Sequence, residues 1–268
     1  MANKTIVITG ASSGIGAGLA ERLGRDGHQL VLAARRCPEL EQVAAAATGA
    51  GASGAIAVPT NVTCRGDVDA LARVAIDRFG GFDVWINNAG RGITRSVLDL
   101  TDEDIDEMIA INVKSAVYGV QVAARHFVEC GQGHIINVSS FLGRVPMALP
   151  RSAYSAAKAA LNSLTANARV ELRAKNPNIH VTLVMPGMVA TEFARNARNA
   201  PPGTGVYSGS HVQTVEQVVD VIARTLDNPV AEVYTNPSSA EMARRYFTDV
   251  ESFETSDNPW ASSSGGAR

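Results

Sequence analysis

The chain is poor in cysteine, carries little net charge and has no long apolar run. Its three cysteines, Cys37, Cys64 and Cys130, lie far apart and form no CxxC. That argues against a disulfide framework and fits a reducing, cytoplasmic compartment. The five histidines, His28, His126, His134, His180 and His211, show no HExxH spacing, so no metal site is expected. A net charge of −2 offers no electrostatic reason to expect nucleic acid or an anionic membrane as partner. No stretch reaches the roughly 18 apolar residues of a membrane span, and the apolar run near Met1 is too short for a secretory signal.

Short β-branched runs alternate with longer stretches of helical spacing. Strands are expected at Lys4–Thr9, Gln29–Ala34, Ala55–Val58, Asp83–Asn87, His134–Ser139, His180–Val184 and Val230–Tyr234. Helices are expected near Gly14–Arg25, Pro38–Thr48, Arg65–Phe79, Thr101–Glu129, Ser152–Lys175 and Thr214–Leu226. Near-continuous hydrophobicity in the strands suits burial on both faces. The alternation therefore predicts an α/β fold, a doubly wound parallel sheet of about seven strands with helices on both sides. No Pro-rich or charge-rich linker divides it, so residues 1–250 read as one domain. Residues 188–213, rich in Gly, Pro and Asn, read as a mobile substrate loop, and residues 251–268 as a flexible polar tail.

Tyr154 and Lys158 stand four residues apart in SAYSAAKAALNSL, on one face of the expected helix. A free phenol, with a pKa of about 10, is a poor proton shuttle at neutral pH, and a fixed cation nearby favours its ionised form. Five Tyr and four Lys in this chain give about 0.07 such pairs by chance. Two neighbours on a helix surface remain the alternative.

The first strand runs into Thr9-Gly10-Ala11-Ser12-Ser13-Gly14-Ile15-Gly16 and then a helix. Such glycines permit a tight turn and let the backbone approach a pyrophosphate, whose charge faces the amides of the helix N-terminus. The second strand ends Ala34-Arg35-Arg36. A carboxylate at this place would bind the ribose 2′-hydroxyl of NAD, whereas arginine favours the 2′-phosphate of NADP(H).

Together with Asn88-Ala89-Gly90, Asn112 in INVKS, Ser139-Ser140, Tyr154-Ser-Ala-Ala-Lys158 and Pro186-Gly187 leading to Thr191, these motifs resemble the short-chain dehydrogenase/reductase family, in its single-domain, NADP(H)-preferring branch. The resemblance covers residues from about 5 to 192. It implies hydride transfer between nicotinamide and a ketone or secondary alcohol. Tyr154 would be general acid and base, and Lys158 its tuner and a ribose contact. Ser140 would hold the substrate oxygen, and Asn112 a relay water through its backbone carbonyl. Cofactor contacts would come from Gly10, Ser12, Ser13, Gly14, Ile15, Gly16, Arg35, Arg36, Asn61, Val62, Asn88, Ala89, Gly90, Pro186, Gly187, Val189 and Thr191. Asn61-Val62 stands where the family commonly has Asp-Val.

Ser140 precedes Tyr154 by one residue more than is usual, which brings Ser139 into question. Paired serines in the family usually employ the second. Phe141, Met147, Met188, Phe193 and Tyr207 read as core or lid packing, and Arg91, Arg95, Arg144 and Arg151 as solvated charge. The resemblance also implies a homo-oligomer, tetramer or dimer, through the two long helices, and a small carbonyl or alcohol substrate. The other readings are a non-catalytic NADP(H) sensor and, ranked lower, a sugar-nucleotide epimerase or dehydratase.

Overall fold

The computed structural model describes residues 3–146, 148–209 and 211–257. Seven strands form one sheet in the order β3-β2-β1-β4-β5-β6-β7, every neighbouring pair parallel. They are β1 (Thr5–Thr9), β2 (Gln29–Ala34), β3 (Gly54–Pro59), β4 (Val84–Asn87), β5 (Gly133–Val138), β6 (Ile179–Met185) and β7 (Glu232–Tyr234). Alternate side chains point to opposite faces, as the period of a strand requires. Ile6, Ile8, Val84 and Ile86 enter one core, and Val7, Trp85 and Ile135 the other.

The first core is covered by α1 (Gly14–Arg25), α2 (Cys37–Ala50) and α7 (Val215–Asp227). The second is covered by α3 (Arg65–Phe79), α5 (Ser115–Cys130) and the distal part of α6 (Ser152–Lys175). Helix α4 (Asp102–Ile109) leads into α5 and starts with a reciprocal cap between Thr101 and Asp104. The doubly wound sheet of the sequence reading is what the chain forms.

The strand order reverses between β1 and β4, so their carboxyl ends diverge and open a crevice. Two expectations about elements change. The expected helix Thr101–Glu129 is broken by a π-turn at Ala110–Lys114, an inserted residue that the 3.6-residue periodicity does not reveal. Helix α8 (Ser238–Thr248) was not anticipated, because only Ser239 and Ala243 of it are buried and the apolar stripe is thin.

Beyond α8 the chain continues in helical turns to Asp257. Phe253 is buried there against Phe141, Val145 and Ala243. The remainder of the expected tail, residues 258–268, lies outside the described residues, as does Met147. No helix among the described residues is long and apolar enough to cross a membrane, and no group of three or more His, Cys, Asp or Glu among them could hold a metal.

Candidate active site

Gly10 ends β1 at the crevice with φ +67°, and a Cβ on it would lie 2.7 Å from Ala89 Cα. Gly16 packs still closer, since its Cβ would lie 2.3 Å from the Gly10 carbonyl oxygen. Only glycine lets the loop after β1 close on the end of β4. Asn88 Nδ2 then donates to the carbonyls of Thr9 and Gly10 at 3.0 and 3.2 Å, which holds the two strand ends together.

Helix α6 is set against the sheet by a buried polar chain. Trp85 Nε1 donates to Asn87 Oδ1 (2.8 Å), Asn87 Nδ2 to Asn137 Oδ1 (2.8 Å), and Asn137 Nδ2 to Thr165 Oγ1 (2.9 Å). Fully satisfied networks of this kind specify one arrangement, here the register of α6 on β5. With that register, Tyr154 and Lys158 face inward and are both buried.

Ser139 and Ser140 separate by direction. Ser139 Oγ turns to α6, 2.5 Å from Asn162 Oδ1. Ser140 Oγ accepts from the Leu142 amide at 3.1 Å, lines the cavity with Tyr154 and favours ionisation of its phenol. Strand β5 and the turn that follows are stitched to β6, Ser139 N to Val184 O and Phe141 N to Pro186 O, both at 2.8 Å. The Ser140 backbone is thereby fixed from either side.

Burial dominates the electrostatics. It pushes the Tyr154 phenol up to about 12, against the opposing pull of the Ser140 hydrogen bond and the Arg151 charge. It also pulls the Lys158 ammonium down to about 8. The sequence leads one to expect Lys158 to lower Tyr154. In the folded chain the ammonium donates to the Val138 carbonyl at 2.9 Å and stands 5.8 Å from the tyrosine ring centroid. The neutral phenol is the stable form.

These groups lie at one end of a cavity of about 1300 Å³. Its other end is formed by Gly10, Ser12, Ser13, Gly14 and Ile15, with Arg35, Arg36 and Val62 beside them. Asn88, Ala89, Gly90, Pro186, Gly187, Val189 and Thr191 complete the wall between the two ends. Phe141, Met188, Phe193 and Tyr207 also line it.

Three expected residues do not. Gly16 sits beneath Gly10 and serves the packing of the loop. Asn61 closes a local turn, its Oδ1 accepting from Thr63 N and Thr63 Oγ1 at 3.2 and 2.8 Å, and Thr60 and Thr63 line the cavity in its stead. Asn112 lies in the π-turn, where its Nδ2 donates to the carbonyls of Arg91 and Met108 and its Oδ1 accepts from Arg91 N. Gly90 separates it from Lys158: a Cβ there would be 2.9 Å from Asn112 Oδ1 and 3.5 Å from Lys158 Nζ.

The residues present suit a dinucleotide. The N-terminus of α1 carries no side-chain cap and faces the cavity, so its first amides can take a diphosphate. Gly14 has φ +55°, and a Cβ on it would meet Thr191 Cγ2 at 3.4 Å, so the glycine loop lies directly against Thr191.

The sequence profile of short chain dehydrogenases matches residues 4–202. The chain belongs to the short-chain dehydrogenase/reductase family. It is an oxidoreductase of that family, 37% identical over 191 residues to an uncharacterized oxidoreductase of Staphylococcus aureus, with 71% of this chain and 80% of the relative covered. Among solved structures, a family member from Burkholderia phymatum in complex with NAD superposes with a TM-score of 0.82 at 26% identity, over 93% of this chain and 94% of that one. A short-chain dehydrogenase from Sphingobium yanoikuyae in complex with NADPH gives 0.76 at 29% identity, over 91% and 94%. Since these two hold different nicotinamide cofactors, the choice in this chain must come from its own residues.

Proposed function

We propose that this family member is an NADP(H)-dependent ketone reductase, equally a secondary-alcohol dehydrogenase in reverse, with Tyr154 as general acid and base. The observation that carries the reading is the buried Tyr154 lining one cavity together with Ser140 and Lys158. The dinucleotide, when bound, supplies or accepts the hydride. A phenol held near 12 is protonated at neutral pH, the form that can give a proton to a developing alkoxide. Ser140, whose Oγ already accepts from Leu142 N, has its own proton left to donate to the substrate oxygen. Lys158, tied to β5 one turn along α6, offers its positive charge to the phenolate left behind and a donor to the ribose.

Arg35 supports the NADP(H) preference. It lines the cavity, and among the described residues it has no carboxylate partner, whereas Arg36 reaches Glu39 at 3.4 Å. Self-association is a further part of the proposal, supported by exposed Val128 on α5 and by exposed Leu164 and Val170 on α6.

The test is NADPH consumption with a panel of ketones, wild type against Tyr154→Phe. The variant should bind NADPH and lose about 10²- to 10⁴-fold in kcat. A variant of full activity would refute the role of Tyr154. Tight NADPH binding without turnover of any ketone or alcohol would favour the non-catalytic sensor.

A further inference from the structure

Five arginines line the cavity: Arg35, Arg36, Arg91, Arg151 and Arg195. Three are neutralised. Arg36 has Glu39, Arg91 has Glu107 at 2.5 Å, and Arg195 has Glu192. Glu107 and Glu192, the cavity's two carboxylates, are thereby spent, Glu107 a second time on Arg198. That leaves two arginines without a carboxylate among the described residues, one at each end. Arg35 stands at the nucleotide end, and Arg151 at the end with Tyr154.

Arg151 directly precedes α6 and is half-buried. Its Nη1 donates to the Ile93 carbonyl (2.9 Å) and Thr94 Oγ1 (3.0 Å), and its Nη2 to the Tyr207 hydroxyl (2.8 Å). All three acceptors are neutral, so the guanidinium is held rigidly with its charge uncompensated. That charge reaches the reacting end of the cavity, where it stabilises the Tyr154 phenolate. A half-buried, oriented and unpaired cation beside a proton donor is costly to keep, and an anionic ligand would offset the cost.

The Tyr207 contact is of a different kind from the other two. Ile93 and Thr94 belong to a segment bonded into the frame, Thr94 N to Arg198 O and Arg198 N to Gly92 O, both at 2.8 Å. Tyr207 belongs to the segment 201–209, which contains Pro201, Pro202, Gly203, Gly205 and Gly209. Among the described residues this segment is hydrogen-bonded to distant parts of the chain only through Tyr207 and Arg151. A neutral phenol on a weakly held segment is a replaceable partner.

We propose that Arg151 binds an acidic group of the substrate, so that the preferred substrates are ketones carrying a carboxylate, and that the carboxylate replaces the Tyr207 hydroxyl on Nη2. This deepens the reductase reading and rests on it. With Nη1 engaged by Ile93 and Thr94, the guanidinium still has an edge of two donors for the two coplanar oxygens of a carboxylate. Phe141, Leu149, Met188 and Phe193 along the same wall suit an apolar body between carboxylate and ketone. The reaction keeps its balance: hydride from NADPH and a proton from Tyr154 convert the C=O to CH–OH, and the carboxylate is unchanged.

The experiment compares straight-chain keto acids, the carbonyl placed successively further from the carboxylate, with their methyl esters. Wild type, Arg151→Gln and Arg151→Lys are assayed for kcat and KM, with NADPH affinity measured to certify that each variant is folded. In wild type at least one acid should exceed its ester by about 10- to 100-fold in kcat/KM, the worth of a charge-assisted pair. Arg151→Gln should erase that ratio, chiefly through KM, and Arg151→Lys should keep part of it. Tyr207→Phe should retain the preference.

Turnover of esters and acids alike by wild type overturns the inference and leaves the reductase reading standing. An equal loss on both in Arg151→Gln does the same, because it marks a structural role. Preference for dihydroxyacetone phosphate over every keto acid overturns the carboxylate assignment. Absence of turnover with any carbonyl compound removes both readings together.

Discussion

The Lys158 ammonium donates to the Val138 carbonyl at 2.9 Å, a bond from the helix carrying Tyr154 to the last residue of the strand that leads into Ser140. Tyr154 and Ser140, the proposed acid and substrate anchor, thus sit on two elements joined by a buried cation. Burial makes that charge conditional.

Lys158 is held down to about 8 by burial, so its ammonium is present at neutral pH and lost as pH rises through about 8. Ketone reduction should therefore fall off above that pH. Lys158→Arg, whose guanidinium keeps its proton to beyond about 12, should move the limb to higher pH at a lower overall rate. Initial rates from pH 6 to 10 check this. A flat wild-type profile would show that the charge of Lys158 is not what the reaction uses.

The two serines should behave oppositely. Ser140→Ala removes the hydroxyl proposed to hold the substrate oxygen and should cost about 10²-fold in kcat with little change in stability. Ser139→Ala removes a bond to Asn162 on α6 and should lower stability by about 1 kcal/mol while sparing chemistry. Steady-state kinetics beside urea unfolding separates the two, and a larger kinetic loss in Ser139→Ala would reverse the assignment.

Arg35→Asp should weaken NADPH by about 10- to 100-fold and NADH far less, because the substitution replaces a donor to the 2′-phosphate with a repelling charge. Fluorescence titration with both cofactors reads it directly. Equal losses would deny Arg35 that phosphate.

His134 should contribute to the loss of stability in acid. Its Nε2 lies 2.8 Å from Thr182 Oγ1, and Thr182 already donates to Val230 O at 2.6 Å. Thr182 can therefore only accept, which makes Nε2 the protonated nitrogen and leaves Nδ1 buried without a partner. Burial pulls this histidine down to about 3. The unfolded chain takes up the proton near pH 6.5, so the stabilisation is complete above that value and is lost as pH falls towards about 3. Between pH 7 and 4.5 the loss from this group should be about 2–3 kcal/mol. His134→Gln, which can still donate to Thr182, should show a smaller loss by urea unfolding at the two pH values.

Much of this was legible beforehand, for local reasons. Short β-branched runs between amphipathic stretches announce a parallel sheet, and Gly10, Gly14 and Gly16 after the first of them announce a nucleotide loop. Periodicity does not register one inserted residue, so the π-turn at Asn112 was hidden within a longer expected helix. Nor does residue type show direction. Asn61, kept as an adenine contact, turns back on Thr63, while Arg151, dismissed as surface charge, points into the cavity.

The sequence by itself determined the layers, the motif order and the family, because each depends on neighbours a few residues apart. Only the tertiary structure decided that Ser139 turns to Asn162 while Ser140 lines the cavity, that burial raises the Tyr154 phenol, and that Arg35 and Arg151 have no carboxylate partner among the described residues. Burial and pairing are properties of residues brought together from distant parts of the chain. Desolvation and Coulomb energy are set by that gathering and have no counterpart in the linear order.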